Sequence, residues 1–405
     1  MAGANMRCSD GTSRFMAMFA TMFATMFATS APAPPLPRLS ASPYLVSIGG
    51  ISSGADLAAG YMTAHSASTI GAAIWAGNAY RCYVTRFAGD ALVPCDGLGQ
   101  MSVAGCKNVD PKQAPCDPSV QSCPPGYGLP VSKCQGCGGP GSGKYISAVN
   151  VSVLVEVARR RGQANMIDPP SSLRGKRVFL YRGGRDLCYN PPSVDHTASF
   201  FSSFGAITHF VNSSVASLHS IPTVSTGTPC GVEGNYTEAH PHGLEACNFD
   251  GAGEAFKHIY GQLQPPGIYN PSNLISFDQT EFDGPEVGLD KSGWVYVPKE
   301  CQEKGGGCGV HVFLHGCGMA AASGPIVGTS YSYAFNDTYA RRAGFNEHAE
   351  TNRIIVVYPQ LAFGKRALGG AQGENSPLTL TYSYLVLSKY HSSRTRVQSL
   401  SRAPT

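Results

Sequence analysis

Charge is scarce in this chain. Only 14% of its 405 residues are Asp, Glu, Lys or Arg, which excludes a polypeptide held open by its own repulsion. No apolar run beyond the first thirty residues is long enough to span a bilayer, so no membrane-spanning segment is expected in the mature protein. Internal repeats are also missing, apart from three copies of Met-Phe-Ala-Thr between Met18 and Thr29, and this excludes a solenoid. The formal net charge is +4, and the stretch from Arg366 to the end carries five basic residues and one acid. The remainder is nearly neutral, so neither nucleic acid nor an anionic membrane is an expected partner.

Hydrophobic residues make up 42% of the chain, with 48 glycines and 29 prolines. That composition supports a large core connected by many turns. Fourteen cysteines are too many for a reducing compartment unless they hold metal. Only Cys134-Gln-Gly-Cys137 has the close pairing of a zinc site, so no metal is expected. Four glycosylation sequons begin at Asn150, Asn212, Asn235 and Asn336, in keeping with a secretory route. Arg7 and Arg14 precede an apolar stretch from Phe15 to Ala28, followed by small residues and Pro32. This is the layout of a signal peptide over residues 1–31, and the expectation is a secreted, extracellular, monomeric protein.

Past a Pro-rich lead-in, Leu45-Val-Ser-Ile48 reads as a strand broken at Gly49-Gly50, with a helix from Ala55 to about His65. Residues 82–137 hold seven cysteines among many Gly and Pro, the pattern of a cysteine-rich insertion. Strands are expected at Val178–Tyr181, Ile207–Val211, Gly293–Val297, Val310–Leu314 and Ile354–Tyr358. Strands interleaved with helices argue for an α/β sheet. A single catalytic domain is expected over 32–365, with a divergent basic tail over 366–405.

Gly50-Ile-Ser52-Ser-Gly54 has the G-x-S-x-G spacing. Chemistry requires that spacing because a sharp strand-to-helix turn exposes the serine, and the flanking positions must lack bulk. The helix start then directs amides at a developing oxyanion. A serine nucleophile needs a base and an orienting acid. Asp186 follows a strand through Gly183-Gly184, and His219 follows the next strand; Asp195 competes for the acid role, and His209, His240 and His242 for the base. Val310-His-Val-Phe-Leu-His-Gly-Cys317 reads as an apolar strand ending in His-Gly, a source of the second oxyanion donor. That strand normally precedes the nucleophile, and here it comes long after the histidine, the order a circular permutation would produce.

These segments resemble the single-domain poly(3-hydroxybutyrate) depolymerases, an esterase family with a circularly permuted α/β-hydrolase fold. Further landmarks are Trp75-Ala-Gly-Asn-Ala-Tyr-Arg-Cys82, His219-Ser-Ile-Pro-Thr223, Cys247-Asn-Phe-Asp-Gly-Ala-Gly253, Gly293-Trp-Val-Tyr-Val-Pro-Lys-Glu-Cys301 and Tyr358-Pro-Gln360. The resemblance implies Ser52 as nucleophile, Asp186 as acid and His219 as base, with the backbone amides of Ser53 and Cys317 as the oxyanion hole. It also implies disulfides Cys82–Cys95, Cys230–Cys247 and Cys301–Cys308, a polyester or other ester substrate, and no cofactor. Three departures stand out: Ala55 and Thr223 replace the family's usual Gly and Asp, and the family's Trp-bearing segment is missing beyond Gln360. Trp75 and Trp294 are the only tryptophans. Removing Cys8 with the signal leaves thirteen cysteines, an odd number. Carbohydrate esterases share part of this pattern, and an inactive secreted relic of the family is a third reading.

Overall fold

The computed structural model describes residues 33–80, 151–186, 189, 191–232, 237–282, 289–302, 307–316, 319–321 and 336–362. In chain order the strands are β1 (Ala41–Ile51), β2 (Thr69–Trp75), β3 (Arg177–Arg182), β4 (Ile207–Asn212), β5 (Ile221–Thr223), β6 (Thr228–Pro229), β7 (Leu244–Ala246), β8 (Leu274–Asp278), β9 (Ser292–Tyr296), β10 (Cys308–Leu314) and β11 (Ile354–Tyr358). The helices are α1 (Ser53–Ala64), α2 (Val151–Gln163), α3 (Pro191–Ser203), α4 (Gly251–Tyr260), α5 (Lys299–Gln302), α6 (Thr338–Arg342) and α7 (Phe345–Asn352).

Eight strands form one sheet in the order β4-β3-β2-β1-β10-β11-β9-β8. The run from β4 to β11 is parallel, and β9 is antiparallel to both of its neighbours. If the last four of these strands in sequence are placed ahead of β1, the His-Gly strand β10 becomes third and β1, which leads into Ser52, fifth. The second oxyanion donor of an α/β-hydrolase follows its third strand. The fold is therefore a circularly permuted α/β-hydrolase.

Alternation along the strands separates the core into two layers. Ala72, Ile74, Val178 and Leu180 face α1, α2 and α3, where they meet Leu57, Met62, Leu154, Phe200 and Phe201. Ala73, Trp75, Phe179 and Tyr181 face the other way, toward Phe256 of α4, Phe345 of α7, and Tyr339 and Ala340 of α6. Strands covered on both faces must be apolar at successive positions, as Val178-Phe-Leu-Tyr181 is. Burial of each large side chain contributes about 1.5–3 kcal/mol. α4 starts at Asp250, whose carboxylate accepts from the Gly253 amide at 2.8 Å, and ends at Gly261 with φ 91°.

β1 does not break at Gly49-Gly50. It runs through both glycines to Ile51, with its last five residues buried. A β-carbon on Gly50 would strike the backbone of Gly54, so the bare position allows close approach instead of ending the strand. Among the features that went unread in the sequence are β2, an interior strand of the main sheet, the edge strand β8, and a separate small sheet of β5, β7 and β6. Among the described residues, no helix is long and apolar enough to cross a membrane.

Candidate active site

Ser52 sits at the join of β1 and α1 with φ 58° and ψ −121°. A side chain other than glycine held at positive φ costs roughly 1–3 kcal/mol and persists only where the surroundings enforce it. Here they do so from both sides. The Ser52 amide donates to the Trp75 carbonyl at 2.9 Å, and the Ser52 carbonyl accepts from the Asp56 amide at 3.0 Å. Ser53 opens α1, at the positive end of the helix dipole.

Asp186 and His219 lie beyond the carboxyl ends of β3 and β4. Oδ2 of Asp186 is 3.0 Å from Nδ1 of His219; the carboxylate is buried and the imidazole partly open to solvent. An ionised carboxylate can only accept, so Nδ1 carries the proton and Nε2 is left as the basic atom. Oδ1 of Asp186 accepts from the Tyr189 amide at 2.9 Å.

The two loops that present this pair are zipped together. Gly184 N–H donates to Val215 O at 2.7 Å and Arg185 N–H to Ser217 O at 2.9 Å. The Tyr181 and Ser217 hydroxyls meet at 2.6 Å. Burial pushes the Tyr181 hydroxyl well up, so it stays neutral. Next to His219, the buried carboxylate of Glu245 accepts from the Leu218 amide at 3.0 Å and the Gly231 amide at 2.6 Å. Burial raises Glu245 above the usual carboxylate range, and the amides of Gly231 and Leu218 only partly offset this.

His219 and His242 lie two residues ahead of the paired residues Ile221 and Leu244 of β5 and β7, at the same end of two parallel strands. Burial takes His242 down to about 3, and the neighbouring His219 adds to the effect. His242 is therefore neutral near pH 7.

The loop after β10 arrives from the other side. A β-carbon on Gly316 would lie 3.0 Å from Cβ of Ser52 and 3.1 Å from Sδ of Met319, so this loop abuts the serine. Met319 also packs against Gly243, next to His242. His315 is braced by Leu361, whose amide donates to Nε2 at 3.2 Å. Its proton therefore sits on Nδ1, which donates to Gly316 O at 2.9 Å. Gln360 joins the brace by accepting from the Ala321 amide at 2.8 Å.

The competing residues lie elsewhere. Asp195 is on α3 and accepts from the Asn212 side chain at 3.2 Å. His209 is within β4, its ring 5.6 Å from that of His258. His240 is exposed in a turn with Thr237. Disulfides Cys230–Cys247 and Cys301–Cys308 are both formed. Cys230, Glu245 and Cys247 could group around a metal, but the two sulfurs are bonded to each other. The sequon asparagines Asn212 and Asn336 are exposed. Cys317, the Cys82–Cys95 pair, Asn150, Asn235, residues 1–31, the insertion at 82–137 and the tail at 366–405 lie outside the described residues.

Sequence reasoning missed Tyr189 and Glu245. Glu245 carried a signal, a lone acid within the apolar run Gly-Leu-Glu-Ala. Tyr189 carried none.

No protein-family model matches the chain. It is 30% identical over 218 residues to a poly(3-hydroxybutyrate) depolymerase of Delftia acidovorans, covering 53% of this chain and 40% of that protein. It is also 30% identical over 199 residues to a polyhydroxybutyrate depolymerase of Talaromyces funiculosus, covering 48% and 54%. The chain thus spans about half the length of the curated relatives it matches. Among solved structures, a PHB depolymerase carrying a serine-to-alanine substitution and complexed with an R3HB trimer superposes with a TM-score of 0.59 at 19% identity, over 88% of this chain and 98% of that one. The PHB depolymerase of Penicillium funiculosum gives 0.57 at 20% identity, with the same coverage.

Proposed function

We propose that this chain, a relative of the poly(3-hydroxybutyrate) depolymerases in sequence and fold, is a secreted serine esterase that cleaves poly(3-hydroxybutyrate)-type polyester or its oligomers. The observation that carries the reading is the buried Asp186 carboxylate on Nδ1 of His219, at the same sheet edge as the backbone-strained Ser52.

In this reading Ser52 Oγ attacks an ester carbonyl and passes its proton to Nε2 of His219. Asp186 holds the imidazole in the required tautomer and stabilises its charged form. Amides at Ser53 and Cys317 receive the tetrahedral oxyanion, each worth roughly 3–4 kcal/mol in the transition state. His219 returns the proton to the departing alkoxide, which leaves as an alcohol, and an acyl-enzyme remains. Water, deprotonated by His219, then releases the hydroxyacid and restores Ser52. No metal or organic cofactor enters these steps.

The test is labelling of the full chain with a fluorophosphonate, paired with release of 3-hydroxybutyrate from amorphous polymer. Labelling at Ser52 that disappears in Ser52→Ala, together with 3-hydroxybutyrate release, is the expected result. Labelling with release of ferulate or acetate from xylan instead would move the substrate to carbohydrate esters. Absence of label would indicate an inactive relic of the family.

A further inference from the structure

Tyr189 belongs to no sequence landmark, yet it touches the proposed base, the proposed acid and the first turn of α1, the helix that follows Ser52. Its ring stacks on that of His219, with centroids 5.5 Å apart and planes 3° from parallel. Its backbone amide donates to Oδ1 of Asp186 at 2.9 Å, the oxygen not used by His219. Its hydroxyl donates to Oδ2 of Asp56 at 3.1 Å. Asp56 lies in the first turn of α1, and its own amide binds the Ser52 carbonyl. The other oxygen of Asp56 is taken up by the Asn78 amide at 2.6 Å and the Asn78 side chain at 2.9 Å. Tyr189 is itself buried and packs on Ala76, at the end of the strand whose last carbonyl holds the Ser52 amide.

We infer that Tyr189 is a positioning residue for the reaction proposed above: its ring sets the face of the imidazole, its backbone amide holds the acid, and its hydroxyl fixes the spacing of both from α1. The physical case rests on the distribution of its contacts. Acid and base sit on loops after β3 and β4, while the serine sits after β1, and such loops flex independently unless cross-braced. A tyrosine has only two side-chain torsions to freeze, so it provides that brace at small entropic cost. The stack leaves Nδ1 and Nε2 in the ring plane free for Asp186 and for the serine proton, which an in-plane hydrogen bond to the imidazole would not.

The inference rests on the esterase reading, and the experiment separates the two. The full chain and its Ser52→Ala, Tyr189→Phe and Tyr189→Leu forms are compared by fluorophosphonate labelling rate per folded molecule. The values of kcat and KM on a soluble short-chain ester are measured alongside, with folding checked by circular dichroism. Tyr189→Leu loses both the stack and the hydroxyl. It is expected to label at least about thirtyfold more slowly and to lose kcat in the same proportion, with KM nearly unchanged, as befits loss of alignment. Tyr189→Phe keeps the ring and the amide and should recover most of that rate, staying about threefold below the parent for want of the Asp56 link. A purely structural role would lower the folded fraction and leave the rate per folded molecule unchanged, and that result overturns the inference. If Tyr189→Leu does not fold, Tyr189→Phe decides, and a labelling rate equal to the parent's overturns it. Failure of the parent chain to label at Ser52 overturns the esterase reading, and the inference falls with it.

Discussion

A β-carbon on Gly54 would overlap the carbonyl oxygen of Leu314. The first turn of α1 therefore rests directly on the end of β10, the strand that leads into His315-Gly316. Gly54 thus sets the distance between the serine and the loop proposed to supply the second oxyanion donor.

Gly54→Ala must push these backbones apart. Overpacking of this kind costs typically about 1–3 kcal/mol, and a shift near 1 Å at a reacting centre costs about a hundredfold in rate. The expected outcome is a folded protein with a lowered melting temperature and a fluorophosphonate labelling rate down by about that factor. Thermal denaturation and labelling on one preparation check it, and a normal labelling rate would contradict it.

Asp186→Asn keeps an oxygen to accept from the Tyr189 amide but no longer enforces a proton on Nδ1 of His219. The base can then adopt the wrong tautomer, and kcat is expected to fall about 10⁴-fold with little change in stability. Steady-state kinetics with a denaturation curve test this. A loss of less than tenfold would mean that another group orients the base.

Glu245 makes the stability of the His219 platform depend on pH. Its folded-state pKa is raised, chiefly by burial, so the stabilisation associated with it is complete below the unfolded value, about 4.3, and is lost as pH rises through the folded value. Glu245→Gln should flatten the stability-against-pH curve above about pH 4.3. It should also lower activity, because one side-chain oxygen must then serve the amides of Leu218 and Gly231. Urea denaturation across pH is the measurement, and parallel curves for parent and variant would refute the prediction.

His311 acts in the opposite direction. It lies fully buried in β10, its Nδ1 2.8 Å from Ser47 Oγ, which also meets the Tyr260 hydroxyl at 2.6 Å. Burial lowers its pKa to about 3. With an unfolded value of about 6.5, its contribution is complete above that pH and is lost as pH falls toward the folded value. His311→Gln retains a partner for Ser47 without titrating, so the acid-side decline in stability should become shallower. An unchanged acid limb would count against this account.

The Cys230–Cys247 disulfide spans Gly231 and β7, both of which are bound to or carry Glu245. Its removal by Cys230→Ser with Cys247→Ser should destabilise the protein by about 2–4 kcal/mol and lower kcat. Removal of Cys301–Cys308, which closes a short loop between α5 and β10, should lower stability while leaving kcat near the parent value. Equal effects on kcat from both pairs would show that Cys230–Cys247 has no special relation to the base.

Most of the main sheet was legible because its strands are local apolar runs that need no partner to be recognised. The G-x-S-x-G turn was legible because its steric demand falls on neighbours in sequence. The order Ser52, Asp186, His219 followed from the strands each residue trails. Gly49-Gly50 misled because a glycine pair looks the same whether it ends a strand or admits a neighbouring backbone. The strands β5 to β7 are too short to show any periodicity at all.

Local sequence by itself determined where the chain could turn sharply, which runs would be buried, and that Ser52, Asp186 and His219 would emerge at strand ends. Only the tertiary structure decided that Asp186, and not Asp195, meets His219, that Glu245 holds the amide of Leu218 next to it, and that Tyr189 joins both loops to α1. The physical reason is range. A turn or an apolar run is a property of adjacent residues, whereas Tyr189 and Asp56 are separated by 133 positions and meet only because the parallel strands bring their carboxyl ends to one edge.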